Sequence, residues 1–183
     1  MYLKLKKIRR YFLLIAMLSV LSIFTACSKP QSVKTDPYDS RALRIGVIGE
    51  PPSIREKQVT FVKIQFSDLQ KKLFDSQYDA IFITKNNLSE ASQGKYASIY
   101  KKSKIPFFFI QTEKSYVPFI MEDLSYDNVP NLPDQTYATG ILYTDNKLNA
   151  WGYGLYNDIE NQENIKEVYS RIVKTISQDP TSK

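Results

Sequence analysis

The chain contains no histidine and only one cysteine, Cys27. Without histidine it lacks Ser-His-Asp and Cys-His catalysis, histidine-ligated zinc and a histidine switch near neutral pH. With one cysteine it lacks an intrachain disulfide, a CxxC redox pair and a cysteine metal site. The chemistry left to an enzyme is that of carboxylates, lysine and tyrosine.

Glycine is also scarce, and its six copies are scattered along the chain. None of them forms GxGxxG or GxxxxGK, the glycine-rich loops that cradle phosphates. One loop carries four acids without the alternating spacing and the glycine of an EF-hand: Glu122, Asp123, Asp127 and Asp134. These absences predict a protein that is not an enzyme and has neither cofactor nor metal.

The N-terminus differs from the rest of the chain. Residues 1–10 carry five positive charges and no acid, and residues 11–24 are almost wholly apolar. This arrangement is typical of a secretory signal peptide. The alternative is an uncleaved membrane anchor, but residues 11–26 would span only about 24 Å as a helix, against a hydrocarbon core of about 30 Å.

The stretch Phe24, Thr25, Ala26 and Cys27 resembles the lipobox of bacterial lipoproteins, with Phe24 where leucine is commonest. This resemblance implies cleavage before Cys27 and a diacylglyceryl group on its sulfur. Two acyl chains hold a protein stably on a membrane, whereas one does not. We therefore expect a lipid-anchored protein on the extracytoplasmic face of the cell membrane.

Removal of the signal peptide changes the meaning of the charge. The whole chain has 25 basic and 19 acidic residues, and five of the bases lie in residues 1–10, so the remainder is nearly neutral. A nucleic-acid partner is not expected, because such partners need a basic surface. The predicted organisation is a signal peptide (1–26), a lipidated cysteine with a polar tether (27–41), one domain (42–179) and a tail (180–183).

Strand and helix patterns alternate in the domain. Apolar, β-branched or aromatic runs predict strands at residues 43–48, 59–66, 78–84, 105–110 and 116–121. Capping-box patterns beginning at Ser67 and at Asn87 predict helices, the second of which runs to about Lys102.

The last part of the domain predicts a hairpin followed by a helix. Residues 136–144 and 148–156 flank a turn at Asp145 and Asn146, so they are predicted to pair as an antiparallel hairpin. Apolar residues at helical spacing from Ile165 to Ile176 predict an amphipathic C-terminal helix. The predicted fold class is α/β, a single domain with a central mixed, partly parallel sheet flanked by helices.

Residues 43–91 resemble the first lobe of bacterial extracytoplasmic solute-binding proteins, through LRIGVIGEPPSI, VTFVKIQFSDLQKKLFDSQ and YDAIFIT. The resemblance implies a ligand cleft lined by the loop after the first strand and by the turn after the third. The residues concerned are Glu50, Ser53, Thr84, Asn86 and Asn87. Independently, ligands of open α/β sheets bind at the carboxyl ends of strands.

The chain departs from that family in three respects. Residues 51–58 are too few for the helix that joins the first two strands there, so these strands are expected to be antiparallel or separated in the sheet. Leu88, Ser89 and Glu90 stand where amino-acid binders carry an arginine. The chain is also too short for a second lobe.

Three functions follow. The first is a non-enzymatic module that binds a small solute and serves a transporter. The second is an interaction protein that docks on another envelope protein through Tyr143, Trp151 and Tyr153 of the hairpin, whose aromatic rings could equally stack on a sugar or pack across the strands. The third is a hydrolase that uses Glu50 and Glu90 as paired carboxylates.

Overall fold

The structure is a computed structural model, and it describes residues 32–33, 35–71, 74–133 and 136–178. The predicted signal peptide, Cys27 and the tail from 180 lie outside the described residues. The strands are β1 (Leu43–Ile48), β2 (Val59–Ile64), β3 (Ala80–Ile83), β4 (Phe107–Ile110), β5 (Thr136–Thr144) and β6 (Lys147–Gly154). The helices are α1 (Phe74–Gln77), α2 (Leu88–Ala91), α3 (Gly94–Lys102), α4 (Val117–Ile120) and α5 (Gln162–Gln178). Turns of 3-10 helix lie at Phe66–Gln70, Lys85–Asn87, Tyr126–Asn128 and Tyr156–Asp158.

The strands form one mixed sheet in the order β2-β1-β3-β4-β5-β6. The first four strands in that order are parallel, and β4-β5 and β5-β6 are antiparallel. This confirms the predicted α/β class with its hairpin and C-terminal helix. At the hairpin turn Asp145 and Asn146 have φ of 50° and 64°, the positive values that a two-residue turn requires.

The sheet buries both of its faces. One, the α5 face, packs Ile45, Val47 and Phe82 against the apolar stripe of α5. The other, the α3 face, packs its side chains against Tyr100 of α3 and Phe119 of α4. Every residue of β3 and β4 is buried, which explains why both strands read as continuous apolar runs.

The pairing of β1 with β2 corrects an expectation. The two strands are neighbours and parallel, with Leu43 opposite Val59 and Ile48 opposite Ile64, so the expectation that they are antiparallel or separated was wrong. The short connection, residues 49–58, contains no helix. One face of β1 and β2 packs against α5, which lies where a crossover helix would otherwise cover the strands.

The connection is fixed to α5 by buried polar groups. The Glu56 carboxylate, 4% exposed, accepts a hydrogen bond from the Ser170 hydroxyl of α5. Arg55 Nε donates to the same hydroxyl at 2.9 Å and lies 3.7 Å from Glu56 Oε1. The segment expected as a tether joins this contact, since the Tyr38 backbone N–H donates to Glu56 at 3.3 Å.

Other predicted elements differ from the structure. Residues 116–121, predicted as a strand, contain α4, because Pro118 occupies the first turn of a helix, where its missing N–H costs no hydrogen bond. The segment after β2 is a 3-10 turn whose capping box uses Gln65 and Asp68, not Ser67 and Gln70. The helix predicted from Asn87 to Lys102 is divided into α2 and α3.

Candidate functional site

The strands β1, β3 and β4 are parallel and therefore end at one edge of the sheet, the carboxyl edge. From β1 the chain leads to β2 on one side, and from β3 it leads to β4 on the other. Ligands of open α/β sheets bind at such a reversal, in the crevice between the diverging connections. Of the residues that the solute-binding resemblance selected, Thr84 and Asn87 lie at this crevice.

Two of those residues close the crevice themselves. Thr84 Oγ1 donates to the carbonyl oxygen of Ile48 at 3.3 Å, and Asn87 Nδ2 approaches the same oxygen at 3.5 Å. Both side chains lie over Gly49, whose φ is 110°. Thr84 and Asn87 therefore tie the end of β1 to the turn after β3.

The other three predicted ligand residues are more peripheral. Glu50 is 86% exposed and forms an ion pair with Lys63 at 2.7 Å. Ser53 and Asn86 are exposed. Neither of these two side chains forms a hydrogen bond with any other described residue. The structure thus brings Thr84 and Asn87 together and leaves Glu50, Ser53 and Asn86 apart from them.

Two hollows lie at the carboxyl edge, on either side of the turn at residues 84–87. The crossover hollow encloses about 570 Å³ and is lined by Ile48, Gly49, Ile64, Gln65, Phe66, Ser67, Gln70, Asn87, Glu90 and Tyr96. In it Glu90 accepts a hydrogen bond from the Tyr96 hydroxyl at 3.1 Å. Burial, reinforced by this hydrogen bond, raises the pKa of Tyr96 to about 12. Glu50 does not line this hollow, so the structure does not pair it there with Glu90.

The edge hollow encloses about 360 Å³, within the range of small-molecule sites. It is lined by Lys85, Gln111, Glu113, Asn131, Leu132, Thr136, Tyr137, Leu155 and Glu160. These residues come from the chain just after β3, β4 and β6 and from the start of β5. Apolar side chains and groups of both charges therefore converge on one small volume.

The charged groups of the edge hollow are mostly unpaired. Within the described part of the chain, neither the Lys85 ammonium nor the Glu160 carboxylate forms a hydrogen bond or an ion pair. The third charged group, Glu113, accepts a hydrogen bond from Asn131 Nδ2 at 2.6 Å. A ligand that carries both a positive and a negative group would satisfy Lys85 and Glu160 together.

Tyr137 contributes a neutral hydroxyl to the same hollow. Its side chain is 8% exposed. Burial raises the pKa of Tyr137, a hydrogen bond with Tyr169 lowers it, and the negative charge of Glu160 raises it further. The net pKa lies above the ordinary value, so this phenol stays protonated near neutral pH and offers a donor to a ligand.

The chain after β4 brings the side chains of Gln111 and Glu113 to the edge hollow. Gln111 has φ of 56°, a left-handed conformation that costs a residue other than glycine about 1 kcal/mol or more. The loop behind it is fixed by Lys114, whose Nζ donates to the carbonyl oxygens of Tyr126 and Val129, each at 2.6 Å. Such strain at a supported loop is frequent at binding sites.

Sequence reasoning missed the residues of the edge hollow. Lys85 stands between two selected residues, and Gln111 directly follows a predicted strand, so the rule that ligands bind at the carboxyl ends of strands could have found both. Glu160 had no such signal, because only the return of the chain from β6 brings it to this edge.

The hairpin residues proposed as one partner surface do not share a face. Trp151 and Tyr153 pack on the α5 face. Tyr143 is paired with Leu148, which packs on the α3 face. Tyr153 is also buried, so these aromatic rings serve mainly in packing, and the structure does not join them into one docking surface.

Among the described residues no three acidic, cysteine or histidine side chains come together in a form that could hold a metal ion. In the same part of the chain, no helix has the length and apolar character needed to cross a membrane. Comparison with known proteins found no relative, because no family model, no curated protein and no solved structure matches the chain.

Proposed function

We propose that this chain is a lipid-anchored extracytoplasmic lipoprotein whose domain binds a small solute without transforming it. The observation that carries the proposal is the edge hollow, in which Lys85 and Glu160 present opposite, unpaired charges. Both residues are exposed, so their charged groups are accessible to a solute that enters the hollow. A ligand that supplies both partners forms charge-assisted hydrogen bonds, which are stronger than neutral ones.

The arrangement of groups favours a zwitterionic solute. Its acidic group would bind the Lys85 ammonium, and its ammonium group would bind the Glu160 carboxylate, with Glu113 nearby. The hydroxyl of Tyr137 and the amide of Gln111 supply neutral hydrogen bonds that fix orientation. A purely anionic solute is disfavoured because the hollow contains two carboxylates and one ammonium.

The solute panel therefore includes zwitterions, anions, cations and neutral polyols, each tested by thermal unfolding of the protein. A true ligand at a hundred times its dissociation constant adds about 2.7 kcal/mol of stability, or several degrees in the melting temperature. We expect zwitterions to give this shift. Lys85→Gln should weaken their binding about tenfold, since it removes a charge-assisted hydrogen bond worth about 1.4 kcal/mol or more.

Lys57→Gln is the matched control, because Lys57 is exposed on the connection between β1 and β2 and does not line the edge hollow. It should leave zwitterion binding unchanged. Equal weakening by both variants would contradict a site at Lys85. A panel without any shift in melting temperature would instead favour docking on another envelope protein. An apolar docking surface for that role is small, because Met121 is the one large hydrophobic side chain exposed in the described part of the chain.

The proposed membrane anchor has its own test. Cys27→Ala removes the sulfur that would carry the diacylglyceryl group, so the chain should keep its signal peptide and should take up no fatty acid. Precursor size by electrophoresis and labelling with a radioactive fatty acid measure both effects. Ser28→Ala is the matched control and should be processed and labelled like the parent chain. Labelling of the Cys27→Ala protein would contradict lipidation at this position.

A further inference from the structure

Trp151 lies flat across the hairpin. It is half-buried on the α5 face of β6, and its ring stacks on Phe108 with centroids 6.1 Å apart and planes at 23°. The residue opposite it on β5 is Gly140. A Cβ atom at Gly140 would lie 2.5 Å from Phe108 Cε1 and 3.2 Å from the indole Cε3, so the glycine makes room for the stacked pair of rings.

The indole lines a hollow of about 670 Å³ at the turn end of the hairpin, which we call the tryptophan hollow. Most other side chains around it are polar, and they include Asp145, Lys147, Asn149 and Gln178. This hollow is distinct from the edge hollow, which lies at the opposite end of the hairpin, where β5 begins.

Several polar groups of the tryptophan hollow are unused. Among the described residues, the indole N–H and the side chains of Asp145, Lys147 and Gln178 form neither a hydrogen bond nor an ion pair. Asn149 uses its Nδ2 to donate to Thr144 Oγ1 at 3.3 Å, which leaves its carbonyl oxygen available. Hydrogen-bond donors and acceptors, some charged and some neutral, thus surround a flat aromatic ring.

The register of β6 sets these groups in a row. Every second side chain of β6 lies on the same face of the strand, and on this face they are Trp151, Asn149 and Lys147. Successive side chains of this row are about 7 Å apart. An elongated ligand lying along β6 would meet the ring first and then an amide and a charged pair at the turn. The row therefore suits a chain of repeating units better than a single compact solute.

We propose that the tryptophan hollow binds a glycan, a short chain of linked pyranose rings with equatorial substituents. Such a ring presents a face of C–H groups that packs on the electron-rich face of an indole. Its hydroxyl groups each donate and accept hydrogen bonds, as the carbonyl of Asn149 and the carboxylate of Asp145 require. The site goes beyond the solute proposal, since it uses none of the residues of the edge hollow.

Other ligand classes fit the tryptophan hollow less well. A nucleic acid needs several cations along its backbone, and the hollow has only Lys147, beside Asp145. A peptide partner binds through large apolar anchors. The apolar residue beside Trp151 is Leu142, which is 3% exposed and has no surface to offer an anchor.

Trp151 is the only tryptophan of the whole chain, so its fluorescence reports this site alone. The full-length chain, held in a detergent without a sugar headgroup, is titrated with chitotetraose, cellotetraose and maltotetraose. We expect a saturable change in emission with the β-linked chitotetraose or cellotetraose. Asn149→Ala should weaken that binding about fivefold, and Trp151→Ala should abolish the heat of binding measured by calorimetry.

Asn128→Ala is the matched control, because Asn128 is exposed in a distant loop and should leave the affinity unchanged. No saturable response to any of the three oligosaccharides, up to their solubility limits, overturns the proposal. A response that glycerol reproduces, or that Asn149→Ala does not weaken, also overturns it. A glycan response that persists in Lys85→Gln separates this site from the edge hollow, so the two proposals fail independently.

Discussion

Replacement of Gly49 with alanine is expected to lower the free energy of unfolding by about 4 kcal/mol, a large part of the stability of an ordinary domain. The new Cβ atom would stand 2.0 Å from Thr84 Oγ1 and 2.6 Å from Asn87 Nδ2. Both atoms are held by the carbonyl oxygen of Ile48. The φ of 110° adds backbone strain, because side chains other than that of glycine rarely adopt it.

Urea unfolding followed by far-UV circular dichroism measures this loss. Gly152→Ala is the matched control, since an added Cβ there meets nothing within 4 Å, and its effect should stay within about 0.5 kcal/mol. In the Thr84→Ala background the cost of Gly49→Ala should fall, because the nearest contact is gone. Equal losses for Gly49→Ala and Gly152→Ala would contradict close packing at the end of β1.

Phe82→Ala is expected to cost about 4 kcal/mol, in the usual range for a phenylalanine removed from a close-packed core. Phe82 is fully buried at the centre of β3. Its ring contacts Phe61 of β2, Phe108 of β4 and Tyr169 of α5, with centroids 5.8, 5.7 and 6.2 Å away. The truncation leaves a cavity where three elements meet, so little of it can collapse.

Denaturant unfolding separates this effect from a general loss of structure. Phe82→Leu keeps most of the volume and should cost about 1.5 kcal/mol. Phe74→Ala is the matched truncation at a partly buried ring with one aromatic neighbour, Phe107 at 6.1 Å, and should cost less than half as much as Phe82→Ala. A Phe82→Ala protein as stable as Phe74→Ala would contradict the central position of this ring.

Local sequence patterns were sufficient for most of the elements. β1 and α5 follow from an uninterrupted apolar run and from a stripe at helical spacing, and the hairpin turn follows from Asp145 and Asn146, which tolerate positive φ. The strand predicted at 116–121 was wrong because it followed from the apolar run alone, whereas Pro118 fits the first turn of a helix.

The strand pairing and the edge hollow required information that no local pattern holds. The connection between the parallel strands β1 and β2 contacts α5 through Glu56 and Ser170, which are 114 residues apart in the chain. The carboxyl-edge rule led to Thr84 and Asn87 because they follow a strand. It could not lead to Glu160, because this residue follows β6, and only the pairing of β6 with β5 brings that part of the chain to the edge hollow.

The position of α5 has a consequence for the order in which the protein is made. Its 17 residues are the last described element, yet they cover the face formed by the first strands, so that face stays open while the strands themselves are being made. A nascent chain that lacks α5 keeps Phe82, Phe108 and Tyr153 of this face in water, so we expect the domain to become stable only after α5 is made.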